Sequence, residues 1–248
     1  MASTLLVFDV DGTLIDSRRD LCTAVNLVRK HYGLDPLPAD IVGGYIGDGI
    51  SLLVKRSLDV PGIDLEEAVG LQRKFYEQHM FDESVLYPGV ERVLQGFNEL
   101  GCKLAVASNK QAVFSERILE HFRLRDLFCH VAGDGNSRFL KPHPAMVIDG
   151  MRVAGAPAAQ TWMIGDSHTD LETARRAGVR SVFMTSGIGH RGDETPDEVC
   201  SSFDDLWKLL SAQGPRFGLT RPVAAGGKSR GQEVDSRRPL NHGTIGSG

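Results

Sequence analysis

Two aspartates one residue apart, Asp9 and Asp11, follow directly on a short apolar run, Leu5 to Phe8, and lead into Gly12 and Thr13. Paired carboxylates at that spacing can supply a nucleophile, a general acid or base and a metal anchor within a few ångströms. The same residues also make an ordinary strand-to-turn junction, since Asp and Gly favour turns. A second acidic pair, Asp166 and Asp170, stands in the segment GDSHTD after another apolar run, Trp162 to Ile164. Four residues apart at a helix start, the two face the same way. As N-cap and first-turn acids they would equally be stabilised by the helix dipole. Were all four aspartates to converge, pairs about 4 Å apart would repel by roughly 4 kcal/mol at an effective dielectric of about 20. Such a cluster calls for a cation, and all-oxygen ligation without clustered His or Cys favours Mg²⁺ over zinc or copper.

Between the acidic pairs lie two further candidates. Ser108, Asn109 and Lys110 follow the apolar run Leu104 to Ala107. A hydroxyl and backbone N–H groups there could hold phosphate oxygens, and a Ser-Asn turn capping the next helix fits as well. Lys141 stands in LKPHP, where Pro142 and Pro144 restrict the backbone after it. A rigidly placed ammonium suits a phosphate dianion; a solvated lysine is the ordinary reading.

These residues need elements that bring them together. Apolar runs of this kind read as strands of a sheet core, and open α/β sheets bind ligands beyond the carboxyl ends of their strands. Strands are expected at Leu5 to Phe8, Lys103 to Ala107, Thr161 to Ile164 and Ser181 to Met184. Helical patterns intervene near Val113 to Phe122, Ala145 to Ala154 and Leu171 to Ala177. That alternation predicts an α/β fold, a Rossmann-like core with a mostly parallel sheet flanked by helices. The stretch from Ser17 to Val85 differs in character. It carries helical spacing at Leu21, Ala24, Val25, Leu27 and Val28, then near Ile50 to Leu58 and Leu65 to Phe81, divided by prolines and by Gly43, Gly44, Gly47 and Gly49. The expected organisation is an α/β core of residues 1–16 and 86–213, a small inserted α-helical cap of residues 17–85, and a tail of residues 214–248.

Composition narrows the function classes. The chain has 248 residues, 41% of them hydrophobic, enough to bury a substantial core. Its net charge of -4 gives no reason to expect a nucleic-acid surface. Cys22, Cys102, Cys129 and Cys200 show no CxxC and no zinc-ligand spacing, which suits thiols in a reducing compartment. The N-terminal apolar stretch is far shorter than a signal or membrane-spanning segment, so a cytoplasmic protein with no membrane partner is expected. Residues 214–248 carry six Lys or Arg against two acids and few large apolar residues, the composition of a disordered tail or of an arm for an anionic partner.

In this order, DVDGT, strand-Ser108, Lys141-Pro142 and GDxxxD resemble the four motifs of the haloacid dehalogenase-like superfamily in its phosphatase branch, over about residues 4–212. The resemblance implies that Asp9 attacks phosphorus and becomes an aspartyl-phosphate. Asp11 then protonates the leaving oxygen and later activates water. Ser108, Asn109 and Lys141 would bind the phosphoryl group. The Mg²⁺ set would be Asp9, Asp166 and Asp11 through its backbone carbonyl, supported by Asp170. Dehalogenases of the superfamily lack an aspartate where this chain has Asp11, and phosphonatases usually carry alanine there, so a phosphate ester is implied. The insertion looks like a mobile helical cap that excludes water and selects a small phosphorylated metabolite. Within it, YIGDGISLLVKRSL resembles the cap segment of phosphoglycolate phosphatases, as do LYPGV, ASNK and KPHP. Gly47, Gly49, Lys55 and Arg56 are therefore the candidates for substrate specificity, although Asp48 stands where relatives often carry another polar residue, and a glycine turn before a solvated basic pair is the plain alternative. On the same motifs a phosphotransferase, a sugar-phosphate mutase of the β-phosphoglucomutase kind, or a pyrophosphatase remains open. A catalytically idle binding module is disfavoured by the full set of functional side chains. Monomer and homo-oligomer both remain open.

Overall fold

A computed structural model describes residues 3–212. The basic tail expected at residues 214–248 lies outside the described residues. The first strand, β1 (Leu5–Phe8), delivers the chain to Asp9. A two-residue strand, β2 (Ile15–Asp16), leads into four helices, α1 (Arg18–His31), α2 (Ala39–Gly43), α3 (Ile50–Leu58) and α4 (Leu65–His79). The chain returns through β3 (Val85–Leu86), which pairs antiparallel with β2, so one short ribbon ties both ends of the helical insertion. Asp20 reinforces this junction by accepting from the N–H groups of Glu83 and Ser84, both at 2.9 Å.

The remainder alternates, as its apolar periodicity predicts: α5 (Val90–Glu99), β4 (Lys103–Gln111), α6 (Ala112–His121), β5 (Phe128–Asp134), α7 (Ala145–Ala154), β6 (Thr161–Gly165), α8 (His168–Ala177), β7 (Arg180–Met184), β8 (Glu198–Cys200) and α9 (Phe203–Ser211). The six strands form one parallel sheet in the order β5-β4-β1-β6-β7-β8. The chain runs outward from β1 through β4 to β5, then crosses back to the other side of β1. The carboxyl end of β1 thus sits at the point where the strand order reverses, the crevice where such sheets bind ligands.

Side-chain alternation along the strands separates two apolar layers. Leu6, Phe8, Val106 and Ile164 pack with Leu94, Phe97, Phe203 and Leu206 on one face. Leu5, Val7, Ala105 and Met163 pack with Met146, Val147 and Ala174 on the other. The insertion has its own small core of Val28, Val54, Leu58, Ala68 and Val69. No described helix is long and apolar enough to cross a membrane.

Two strands of the sheet carry no strong sequence signal. β5 is an edge strand whose Cys129 is exposed and His130 half-buried, which breaks the apolar run a central strand requires. β8 has three residues at the opposite edge, so Ser181 to Met184 is not the last core strand. The first residues of α8 also precede the expected start at Leu171, because His168 to Asp170 is its first turn, capped by Ser167.

Candidate active site

The strand register sets the site. Phe8 lies between Val106 and Ile164, so the next residues of β1, β4 and β6 leave the sheet side by side. Asp9 remains anchored to the sheet, its N–H donating to Ile164 O at 3.0 Å. Ser108, Asp9 and Asp166 are all buried at this edge. Gly12 turns the chain with φ +84°, and a Cβ there would lie 2.0 Å from Asp166 Oδ2; a Cβ at Gly187 would strike the Asp166 side chain at 2.2 Å. Only glycine lets these two backbones close around that carboxylate.

Each aspartate of the first pair has its own buried lysine. Lys141 Nζ lies 2.8 Å from Asp9 Oδ1 and 2.6 Å from Asp170 Oδ1. The contact to Asp9 is off the hydrogen-bond axis, so that oxygen has a charge beside it and no aligned donor. Lys110 Nζ lies 2.8 Å from both oxygens of Asp11, and Ser17 Oγ donates to Asp11 Oδ1 at 2.5 Å. Burial alone would lower both lysines, and the carboxylates beside them more than reverse it, holding both ammonium groups above lysine's usual range.

The acidic cluster is smaller than the four aspartates expected. Asp9, Asp166 and Asp170 each bring an oxygen within 4.8 Å of the others, while the side chain of Asp11 lies outside that group. Burial, opposed by Lys141 and assisted by Asp170 and Asp11, pushes Asp9 up to about 6. Burial together with Asp170 and Asp9 pushes Asp166 up to about 7, although the N–H groups of Gly189 and Ile188 donate to its Oδ2 at 2.8 Å. Thr13 Oγ1 donates to Asp166 Oδ1 at 3.1 Å. Asp170 is differently placed. Its Oδ1 meets Lys141, and its Oδ2 accepts from the N–H and Oγ of Ser167 at 3.0 and 2.7 Å, which makes it the acidic member of a helix capping box. The helix-start reading and the cluster reading of this aspartate therefore both hold.

Three buried carboxylates against one shared lysine leave negative charge in excess, and the unaligned Asp9 Oδ1 faces it. A hard divalent cation fits this all-oxygen set. Asp9 and Asp166 are the side chains best placed to hold it: Asp166 accepts only from neutral donors, whereas Asp170 is bonded to the Lys141 ammonium and to Ser167.

The other expected residues divide. Ser108 Oγ is buried and accepts from Lys110 N–H at 3.3 Å, which leaves its hydroxyl proton for an oxygen in the site. The Asn109 side chain is a brace: Nδ2 donates to Gly47 O at 2.9 Å and Lys141 O at 3.0 Å, and Oδ1 accepts from Lys141 N–H at 2.7 Å. Only its backbone remains for a phosphate. Gly47 and Gly49 line the same pocket as Asp9 and Asp11. Lys55 and Arg56 do not. Lys55 lines a separate depression with Leu58 and Pro61, and Arg56 pairs with Asp48 at 2.6 Å in a crevice beside His168 and His190. His190 stacks on His168 with ring centres 5.2 Å apart, at the edge of that crevice. Arg191 is exposed.

Several contacts at the site were not foreseen from sequence. Lys110 stands beside Ser108, yet nothing in its spacing marks it as the partner of Asp11. Gln72 and Tyr76 of α4 line the pocket with Leu21, Ile46, Ile50, Leu53 and Phe114. Two of the donors to Asp166 come from the loop Gly187 to Gly189, whose glycines were the available signal.

A family model described as haloacid dehalogenase-like hydrolase matches residues 6–184. A phosphoglycolate phosphatase of Pseudomonas syringae pv. syringae is 33% identical over 214 residues, covering 83% of this chain and 78% of that protein. One from Neisseria meningitidis is 33% identical over 220 residues, covering 84% and 94%. The crystal structure of a predicted phosphoglycolate phosphatase from Haemophilus somnus superposes with a TM-score of 0.78 at 28% identity, covering 84% of this chain and 98% of that one.

Proposed function

The chain belongs to the haloacid dehalogenase-like hydrolases, and from that premise we propose that it is a Mg²⁺-dependent phosphatase hydrolysing 2-phosphoglycolate or a similarly small phosphorylated acid. The observation that carries the chemistry is the pairing of two neighbouring aspartates with two separate buried lysines, Asp9 with Lys141 and Asp11 with Lys110. Neighbouring carboxylates held by separate cations can take separate roles. The substrate assignment is supported by relatives at 30–34% identity named for phosphoglycolate.

An oxygen of Asp9 attacks phosphorus, and the bond from phosphorus to the ester oxygen breaks. The leaving oxygen takes a proton from Asp11. Asp11 then removes a proton from water, the resulting oxygen bonds to phosphorus, and the Asp9 carboxylate leaves with release of phosphate. Ser108 and Lys141 hold the equatorial oxygens, while Asn109 fixes the Lys141 backbone. Asp9, Asp166 and the backbone carbonyl of Asp11 would hold Mg²⁺, which when bound supplies positive charge to the phosphoryl oxygens and to the carboxylates around them. Residues 17–85 act as a cap that excludes water during the first step, braced to the core by Asn109 to Gly47 and by Arg73 to Asp134 at 3.2 Å. The test is phosphate release in magnesium buffer from phosphoglycolate, sugar phosphates, nucleotides and pyrophosphate. Preferential release from the small phosphorylated acid is expected. Transfer to a second sugar hydroxyl without phosphate release would replace the reading with a phosphotransferase.

A further inference from the structure

We propose that Gln72, assisted by Tyr76 and Lys110, is the subsite that receives the carboxylate of the leaving group, so that substrate choice is made inside the pocket and not by Lys55 or Arg56. This rests on the phosphatase reading above and deepens it.

The buried stripe of α4 is Ala68, Val69, Gln72 and Tyr76. A glutamine on such a stripe is anomalous, since that face of a cap helix is ordinarily apolar. Gln72 is 1% exposed, and neither its amide nitrogen nor its amide oxygen has a hydrogen-bond partner. The Tyr76 hydroxyl, one turn later on the same face, is likewise buried, with the Lys110 ammonium beside it but no aligned hydrogen bond. Buried polar groups are normally bonded, and those that are not ask for a function. Both residues line the pocket that contains Asp9 and Asp11.

The donor and acceptor inventory identifies the ligand chemistry. Gln72 has two N–H donors and one carbonyl acceptor, and Tyr76 adds a hydroxyl donor. Lys110 Nζ lies 4.3 Å over the Tyr76 ring, with three donors of which Asp11 occupies two. Apart from the two aspartates used in the chemistry, the surplus at this end of the pocket is one of donors. The complementary group accepts only, as a carboxylate does. Ile46, Ile50, Leu53 and Phe114 wall the same space, which suits a short chain between phosphate and carboxylate. Lys55 and Arg56 lie in other depressions.

The test compares 2-phosphoglycolate with ethyl phosphate, which replaces the carboxylate by a methyl group. The wild type is assayed first. Failure to hydrolyse any phosphate ester would overturn the phosphatase reading itself. Hydrolysis of both esters without preference for phosphoglycolate would overturn only the carboxylate subsite. Given that preference, Gln72→Leu should lower the ratio of kcat/KM for phosphoglycolate over ethyl phosphate by roughly tenfold or more, the effect of losing a hydrogen bond to a charged group. Gln72→Glu should lower it further, because acceptors would then face acceptors. A ratio within about twofold of wild type in both variants refutes the assignment. Thermal unfolding gives the second readout. An amide with no partner in the fold can be replaced by leucine without loss, so Gln72→Leu should melt at or above the wild-type temperature. A lower Tm, or failure to fold, means that the amide is bonded within the cap and likewise refutes the proposal.

Discussion

Replacing Lys141 by methionine removes the one cation shared by Asp9 and Asp170, contacts of 2.8 and 2.6 Å in a site closed to solvent. Methionine keeps most of the volume, so the loss is chiefly electrostatic. Breaking a buried ion pair by deleting one partner costs about 3–5 kcal/mol, because a charge is left without compensation. For a domain of this size that corresponds to a fall in Tm of roughly 6–20 °C in metal-free protein. The loss should depend on pH. Lys141 is among the influences that lower Asp9, whose carboxyl burial has already pushed up to about 6, so without the lysine Asp9 titrates higher still. Well below that value the variant relieves its burden by protonating Asp9, whereas above it the uncompensated charge remains. Destabilisation should therefore be largest near pH 8 and shrink toward pH 5, as measured by thermal unfolding in EDTA. The acid limb of kcat/KM with magnesium present should also move to higher pH. Destabilisation that is flat across this range, or an acid limb that does not move, would show that Lys141 does not set the charge state of the nucleophile.

Asp166 is held near 7 by burial, against an ordinary value of 3.8. Between those values the folded protein keeps a proton that the unfolded chain has lost, so stability falls as pH rises. The stability of metal-free wild type relative to Asp166→Asn should therefore decline by up to about 4 kcal/mol from pH 4 to 7; a constant difference in denaturant titrations contradicts this. Magnesium should restore stability to wild type increasingly with pH and much less to the variant. Asn109→Ala removes the bonds to Gly47 and to both sides of Lys141, so kcat/KM should fall about tenfold or more; turnover equal to wild type would remove Asn109 as a brace. Lys55→Ala should leave the ratio of phosphoglycolate to ethyl phosphate turnover unchanged, and a loss of preference would return specificity to α3.

The central strands were readable because burial on both faces demands uninterrupted apolar runs, and β1, β4, β6 and β7 have them. β5 escaped because its edge position tolerates Cys129 and His130, and β8 because three residues carry no period. α3 and α7 matched their expected spans, since each combines apolar spacing with clear stops, Asp59 in a left-handed turn and Gly155 at φ +63°. At the site, the aspartate pairs were legible because carboxylates at the ends of apolar strands are rare. Their partners were not. Whether Lys110 reaches Asp11, or Gln72 of a distant helix faces the same pocket, follows from how the insertion docks on the sheet, which local spacing does not encode. Lys55 and Arg56 illustrate the converse: adjacent basic residues on one helix diverge by about 100° per residue, and here they enter two different depressions, neither of them the pocket lined by Asp9 and Asp11.

The claim on which the rest depends is that Asp9 carries the phosphoryl group. Wild-type protein mixed with phosphoglycolate and magnesium, quenched in acid and digested, should yield the Asp9 peptide bearing a phosphoryl group, and Asp9→Asn should yield none and release no phosphate. Steady phosphate release by Asp9→Asn at the wild-type rate, or a phosphoryl group mapped to any other residue, would contradict the account.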